Sequence, residues 1–554
     1  MENCYFEDLV KIQKLLVDIN AETLAYTKGE FGEYIFKNKI YKNRIIYNIL
    51  NIVKYRSSKA IYYSELINDL FQADEQIKSM ILSQIFDNTP SGNYEQRVPQ
   101  IYLLFLLVCC HFYSIETILE SLQSVNDKSP HFYLIFAWFC PEIQRENGYF
   151  YESIISNYSI TNEWPQQLKL FYSQIEKYRE NEWKNFIEKR RNGYEKDSIM
   201  AKIKCDEEIE NLIDYYDKRI RVSIFEVNWI LWNYPSYIEF SAFYGSIKNL
   251  SFFIENGFNF SEDFQTLDLL SFAIAGGNQR TIDYLLNKVS LKKQYFINSE
   301  FVSILFHQNN FIEKVENEKF SSIFGSLGEV ACSSNNLYIL QKLNLSADNH
   351  IDYHLSSIEN GESDSALYLI LNENQLKISD EFLMKIIQYE YEFLIMKLLP
   401  NHSSFLLKNI LLLKKRGLFK NIIENNNFLN DEKIDNDLIF LSIFLNEEEL
   451  FILLIESFPS KVMIKTSQNE TLLSLAVQQK LQKSVEFLLK YDMIDVNEAD
   501  VFLNQFYLFN ERLNIFSFWA PIHFAASENL IDIAKLLLNT GKINLDQKTD
   551  EIKF

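Results

Sequence analysis

Thr471-Leu472-Leu473-Ser474-Leu475-Ala476-Val477 and Ala520-Pro521-Ile522-His523-Phe524-Ala525-Ala526 open two segments built to one plan. A leucine stands ten residues after each start, at Leu481 and Leu530. The runs Val485-Glu486-Phe487-Leu488-Leu489 and Ala534-Lys535-Leu536-Leu537-Leu538 follow, and similar tails close them, Ile494-Asp495-Val496-Asn497 and Lys542-Ile543-Asn544. Apolar residues at helical spacing on both sides of a short polar break predict two helices joined by a turn. Ala476 and Ala525 are small where neighbouring helices come close.

Weaker copies lie upstream. Leu269-Leu270-Ser271-Phe272-Ala273-Ile274-Ala275-Gly276-Gly277-Asn278 precedes Ile282-Asp283-Tyr284-Leu285-Leu286. Glu239-Phe240-Ser241-Ala242-Phe243-Tyr244-Gly245-Ser246 precedes Leu250 to Gly257. The small position recurs at Ser241, Ala273 and Ala476, and the last interval has room for about five more units of roughly 33 residues. Candidates lie near Leu305, Ala331, Ser356, Ile386 and Ser442, with a degenerate one near Leu411. The expectation is nine or ten units over residues 235–545. One helix pair cannot bury its apolar face alone, so such pairs stack into a solenoid with a continuous core.

These segments resemble the ankyrin repeat, whose inner helix opens Thr-Pro-Leu-His. The resemblance implies a protein-binding solenoid without catalytic residues. Only His523 keeps the motif's histidine, and about 15 extra residues separate Asn497 from Ala520. The turn between paired helices needs a left-handed residue. Gly245 and Gly277 suit it, and Asn335, Asn360 and Asn529 are the next most tolerant choice. The stretch Phe240 to Ile254, together with the better C-terminal repeats, is also similar to divergent ankyrin-repeat proteins of protists, of the trichomonad-like type. An uncharacterised N-terminal helical region goes with that resemblance.

Composition agrees with a helical array. Gly is 14 and Pro 9 in 554 residues, too few for a turn-rich β fold, while 47% apolar residues can bury a large core. The fold class expected is all-α: an N-terminal helical domain at 1–175, a charged helical linker at 176–230 and the solenoid at 231–554. Within the first domain Ile45, Ile46, Ile49, Ile52 and Val53 make one helical stripe. The middle block reads as mixed-charge helices with a break near Asn192-Gly193. The apolar runs Ile101–Cys110 and Phe132–Cys140, stopped by His111 and Pro141, are too short to span a membrane and read as buried helices. With no leader pattern at Met1-Glu2-Asn3-Cys4 and six scattered cysteines, the cytoplasm is the compartment expected.

The net charge is −21, of which −16 falls in residues 222–554. No phosphate-binding glycine loop, nucleophile elbow or kinase set occurs. His350 with His354, Cys109-Cys110-His111 and His131 with Cys140 invite a metal reading, but their spacing and apolar surroundings favour packing. No catalytic group, metal or cofactor is therefore expected. The function expected is a non-enzymatic scaffold whose acidic solenoid binds a protein with a basic surface. Phe502, Phe506, Tyr507 and Trp519, in and beside the insertion, are the candidate anchors. A second reading is anionic-ligand binding, RNA or acidic lipid. It rests on residues 34–64, where seven bases occur without an acid and Lys39, Lys42 and Arg44 lie among tyrosines. A pI near 5 argues against nucleic acid as the main partner.

Overall fold

The computed structural model describes the chain apart from residues 1, 38–39, 87–93, 126–128, 163, 210–211, 216–217, 257–268, 289–292, 317–323, 344–379, 389–391, 426–428, 509–510, 548–550 and 554. The chain divides into two compact units, Met1–Leu376 and Lys377–Phe554.

The first unit begins with a succession of helices from Glu2–Asp18 to Ile199–Lys204. Their starts are set locally. Ser114, Ser129, Asn147 and Ser198 each accept a hydrogen bond from an amide three residues on, occupying a donor that the helix leaves free. Helix Ile40–Tyr55 buries the stripe Ile45, Ile46, Ile49, Ile52 and Val53. The two long apolar runs are buried helices, Val98–Cys109 and Pro130–Glu146, and every residue from Pro130 to Cys140 is buried. Pro141 does not end the second of them, as had been expected. Its ring removes one backbone bond. Buried Arg190 bridges the site, donating to the Trp138 carbonyl at 2.6 Å and to both Glu142 oxygens at 2.6 and 2.9 Å.

The mixed-charge segment 176–230 joins no two separate bodies. Gly193, at φ +82°, breaks it where the sequence suggested. Yet Phe186, Tyr194, Ile203, Leu212, Ile220 and Val222 lie in one buried cluster running from Ile12 to Phe311. Apolar residues draw these short helices inward while most of the segment's charges stay in water, Arg190 and Glu226 being buried exceptions. The N-terminal helices, this segment and the first repeats therefore share a core, and the division falls at 376/377 instead.

Four helix pairs close the first unit: Tyr237–Tyr244 with Ile247–Glu255, Leu269–Gly276 with Gln279–Lys288, Lys293–Leu305 with Asn309–Glu316, and Phe324–Ser333 with Leu337–Leu343. In the second unit Asp380–Gln388 pairs with the front half of Glu392–Leu412. That helix breaks at His402, two residues after Pro400, and its rear half pairs with Arg416–Asn425. Asn436–Phe444 with Glu448–Ser457, Leu472–Gln478 with Gln482–Leu488, and Pro521–Ser527 with Ile531–Asn539 complete the set. Nine pairs stand among the described residues, and inner helices pack on inner helices within each unit. The candidate at Ser356 lies outside the described residues, as do Asn360, His350 and His354.

Among the described residues the fold is helical except for one small sheet. Strand β1, Asp500–Leu508, pairs antiparallel with β2, Glu511–Trp519. Strand β3, Glu551–Lys553, joins the far side of β2 with Phe516 opposite Ile552. The insertion between the last two repeats is thus a hairpin.

Candidate interaction surface

The repeated feature of the array is the turn between paired helices. Its left-handed residues are Gly245, Gly277, His307, Asn335, Lys414, Asn446, Lys480 and Asn529, with φ between +53° and +73°. Each stands four residues after an inner-helix position that is Ser or Ala in all units but one: Ser241, Ala273, Ser303, Ala331, Ile410, Ser442, Ala476 and Ala525. The amide after the turn returns to the carbonyl at that position, as in Ser246 to Ser241 at 2.9 Å, Asn336 to Ala331 at 2.8 Å and Leu530 to Ala525 at 2.8 Å. This satisfies carbonyls at the helix end and fixes the reversal. Sequence reasoning found Gly245, Gly277, Asn335 and Asn529 but missed His307, Lys414, Asn446 and Lys480. The constant offset from the small position was the signal that would have found them.

In the first unit the turns are covered from upstream. Asp206 Oδ1 accepts from Ser246 Oγ at 2.8 Å and from the Lys248 amide at 3.0 Å. Arg56 lies beside Gly277, so close that a Cβ there would come within 3.3 Å of its guanidinium. The Tyr55 ring stands 6.1 Å from the His307 ring. The Gln13 side chain reads the Asn335 turn at two points, donating to its carbonyl and accepting from the Leu337 amide at 2.9 Å. Asn48 joins the same cluster at 3.3 Å from both Gln13 and Asn335. His307 is buried with Nε2 3.1 Å from the Ser334 carbonyl, and burial holds its pKa down at about 3.

The anchor candidates separate. Phe502, Phe506 and Tyr507 lie on β1, opposite Ser517, Leu513 and Arg512 of β2 in the register. Trp519 ends β2, is half-buried, and its ring packs 5.2 Å from Phe524 in the last inner helix.

The basic stretch is largely occupied. Lys42 pairs with Asp74 at 2.7 Å and Lys37 with Asp8 at 3.5 Å. Arg56 is half-buried, desolvation lowers its pKa, and it donates to the Val17 carbonyl. Arg44 is half-buried, with its carbonyl accepting from Asn48. Lys39 lies outside the described residues. The tyrosines are engaged as well: Tyr41 donates to Asp8 at 2.7 Å. Among the described bases of this stretch, Lys37 and Lys42 are thus each paired with a carboxylate.

Of the metal-like groupings, His131 and Cys140 are packed in the core, whereas Cys109 and His111 are exposed and His350 and His354 lie outside the described residues. His131 is buried against the Ile85 carbonyl at 2.6 Å, and burial brings its pKa down to about 3. Burial pushes the thiol of Cys140 well up. Among the described residues no three His, Cys, Asp or Glu side chains gather as metal ligands, and no helix is long and apolar enough to cross a membrane.

The last unit is also held by its motif histidine. His523 Nδ1 accepts from the Ala520 amide at 3.0 Å, and its Nε2 lies 3.2 Å from the Gln547 carbonyl. The histidine thus ties the start of the inner helix to the chain that follows the outer one. Residues 518–550 match the family model for the ankyrin repeat. No curated protein matches the chain. With the repeat recognised there, the same turn and the same small position extend the architecture back to residue 237.

Proposed function

We propose that the chain is a non-enzymatic, cytoplasmic scaffold that binds a protein partner through its repeat array. The observation that carries this reading is the recurrence of helix pairs, four described in the first unit and five in the second, the last of them matching the ankyrin repeat. A solenoid of this kind offers a long surface repeated in register and no enclosed reaction chamber. The net −16 over residues 222–554 favours a partner with a basic surface and an association that salt weakens. Phe502, Phe506 and Tyr507 are the proposed anchors on the hairpin, with Trp519 fixing its base on Phe524.

The test is affinity capture with the full chain from native lysate at low and high salt. A specific protein that is retained at low salt and released at high salt supports the scaffold. Its loss from the Phe502→Ser/Phe506→Ser variant, with helical content unchanged, assigns the hairpin. Absence of any specific protein at every salt concentration overturns the reading.

A further inference from the structure

The second unit carries a cleft of about 480 Å³ on the outer helices of three successive repeats. One wall is helix Arg416–Asn425, the other is helix Glu448–Ser457, and Lys483 of the next unit stands at its end. On the second wall Glu449, Ile452, Leu453 and Glu456 are spaced i, i+3, i+4, i+7, so they form one stripe along the helix. The two glutamates are exposed and the two apolar residues are half-buried. The opposite wall leaves room, because a Cβ on Gly417 would meet nothing within 4 Å.

The charges inside the cleft are unequally committed. Arg416 is bound to Glu447 at 2.7 and 2.9 Å, and Glu448 accepts from the Ser484 amide at 2.9 Å. Lys420 faces Glu424 on its own helix at 3.7 Å. Glu449 and Glu456 make no salt bridge among the described residues, and they bracket the apolar pair about 10.5 Å apart along the helix. Five carboxylates and three cations line the cleft, leaving a net charge of −2.

We infer that this cleft binds an amphipathic helix of a partner protein that carries Lys or Arg two turns apart with two apolar residues between them. The two basic residues pair with Glu449 and Glu456, while the apolar pair packs on Ile452 and Leu453 in the space beside Gly417. Bases bring the helix in and set its register, and the apolar pair supplies contact area. The inference rests on the scaffold reading and adds the partner chemistry of one defined face.

The probe is a fluorescein-labelled alanine-based helical peptide with Lys at i and i+7 and Leu at i+3 and i+4, titrated by anisotropy against the full chain. A second peptide has Glu in place of Lys. The lysine peptide is expected to bind, and the glutamate peptide at least tenfold more weakly. Gly417→Trp fills the space and is expected to weaken binding tenfold or more, whereas Gly29→Ala, on a helix of the first unit where a Cβ meets nothing within 4 Å, leaves it unchanged. Glu449→Lys/Glu456→Lys is expected to reverse the preference between the peptides. Urea midpoints are measured on every variant, and Gly417→Trp points outward, so folding is retained. Absence of lysine-peptide binding, or binding indifferent to both Gly417→Trp and charge reversal, overturns the cleft. Capture from lysate that survives Gly417→Trp leaves the scaffold standing without the cleft. Failure of all capture removes the scaffold whatever the peptide does.

Discussion

The repeats of the two units share a turn, described four times in each, but secure it differently. In the first unit each turn touches a residue from the preceding chain: Asp206 at Gly245, Arg56 at Gly277, Tyr55 at His307 and Gln13 at Asn335. In the second unit the contacts recorded at the turns run between neighbouring repeats, as in Arg416 with Glu447 and Lys480 with Glu528. A repeat that is braced from outside can depart from its consensus, because stability is supplied by another part of the chain. A repeat that is braced only by neighbours must hold its own geometry, as His523 does between Ala520 and Gln547.

The sharpest break of this contrast is at glycine. A Cβ on Gly276 would lie 1.8 Å from the backbone oxygen of Phe243, in the neighbouring inner helix. Backbone cannot turn aside as a side-chain end can. Gly276→Ala is expected to cost about 3 kcal/mol by overpacking, read as a lower urea midpoint. Gly417→Ala in the second unit meets open space and is expected to stabilise its helix by about 0.5–1 kcal/mol. Equal effects of the two substitutions would remove the distinction drawn here.

Next in size is the covering contact itself. Gln13→Ala leaves the Asn335 carbonyl and the Leu337 amide buried without their partner, a loss of about 1–3 kcal/mol. Gln13→Glu keeps the acceptor for Leu337 but removes the donor and buries a charge, so it is expected to be worse still. Hydrogen exchange at Leu337 provides the local reading, and unchanged protection in Gln13→Ala would show that the turn stands without its cover.

Acid tests the same region. His307 and His131 both titrate at about 3 in the folded chain, against an ordinary value near 6.5. Between those values the unfolded chain holds more protons. Their stabilisation is therefore complete above about pH 6.5 and is lost progressively as pH falls toward 3. From pH 6.5 to 5 each contributes a loss of about 2 kcal/mol. His307→Asn, which keeps a residue tolerant of the left-handed turn, is expected to flatten that slope by the share of one histidine. An unaltered slope would mean that the ring is protonated or hydrated in place.

The sequence made the array legible wherever small residues and leucines kept their spacing, at Ser241, Ala273, Ala476 and Ala525. It also showed Gly245 and Gly277 as turns, because glycine announces a left-handed position. It did not show His307 or Lys480 in the same role, since neither announces a left-handed position as glycine does and only the offset from the small position reveals it. Nor did it show that residues 176–230 are core. Alternating charges dominate the text there, while Phe186, Tyr194 and Ile203 are too far apart to make a pattern. The neutralisation of Lys42 by Asp74 was equally hidden, because the partners stand 32 residues apart in the chain.

The smallest effect is also the most direct test of the shared turn. Lys480 adopts φ +62° with no glycine freedom and no asparagine side chain to bond locally. A left-handed lysine costs roughly 1 kcal/mol relative to glycine. The backbone bonds of this turn, Leu481 to Ala476 at 2.9 Å and Lys480 to Val477 at 3.0 Å, do not depend on the side chain. The Glu528 contact at 3.3 Å is an exposed ion pair worth little. Lys480→Gly is therefore expected to raise the stability of the second unit by up to about 1 kcal/mol, offset in part by the extra freedom of glycine in the unfolded chain. Thermal unfolding of Lys480→Gly beside Lys480→Ala reads it: alanine keeps the strain and loses the ion pair, so glycine must exceed alanine. If alanine is the more stable of the two, the left-handed conformation is not what holds this turn, and the resemblance between the two sets of repeats is one of sequence spacing alone.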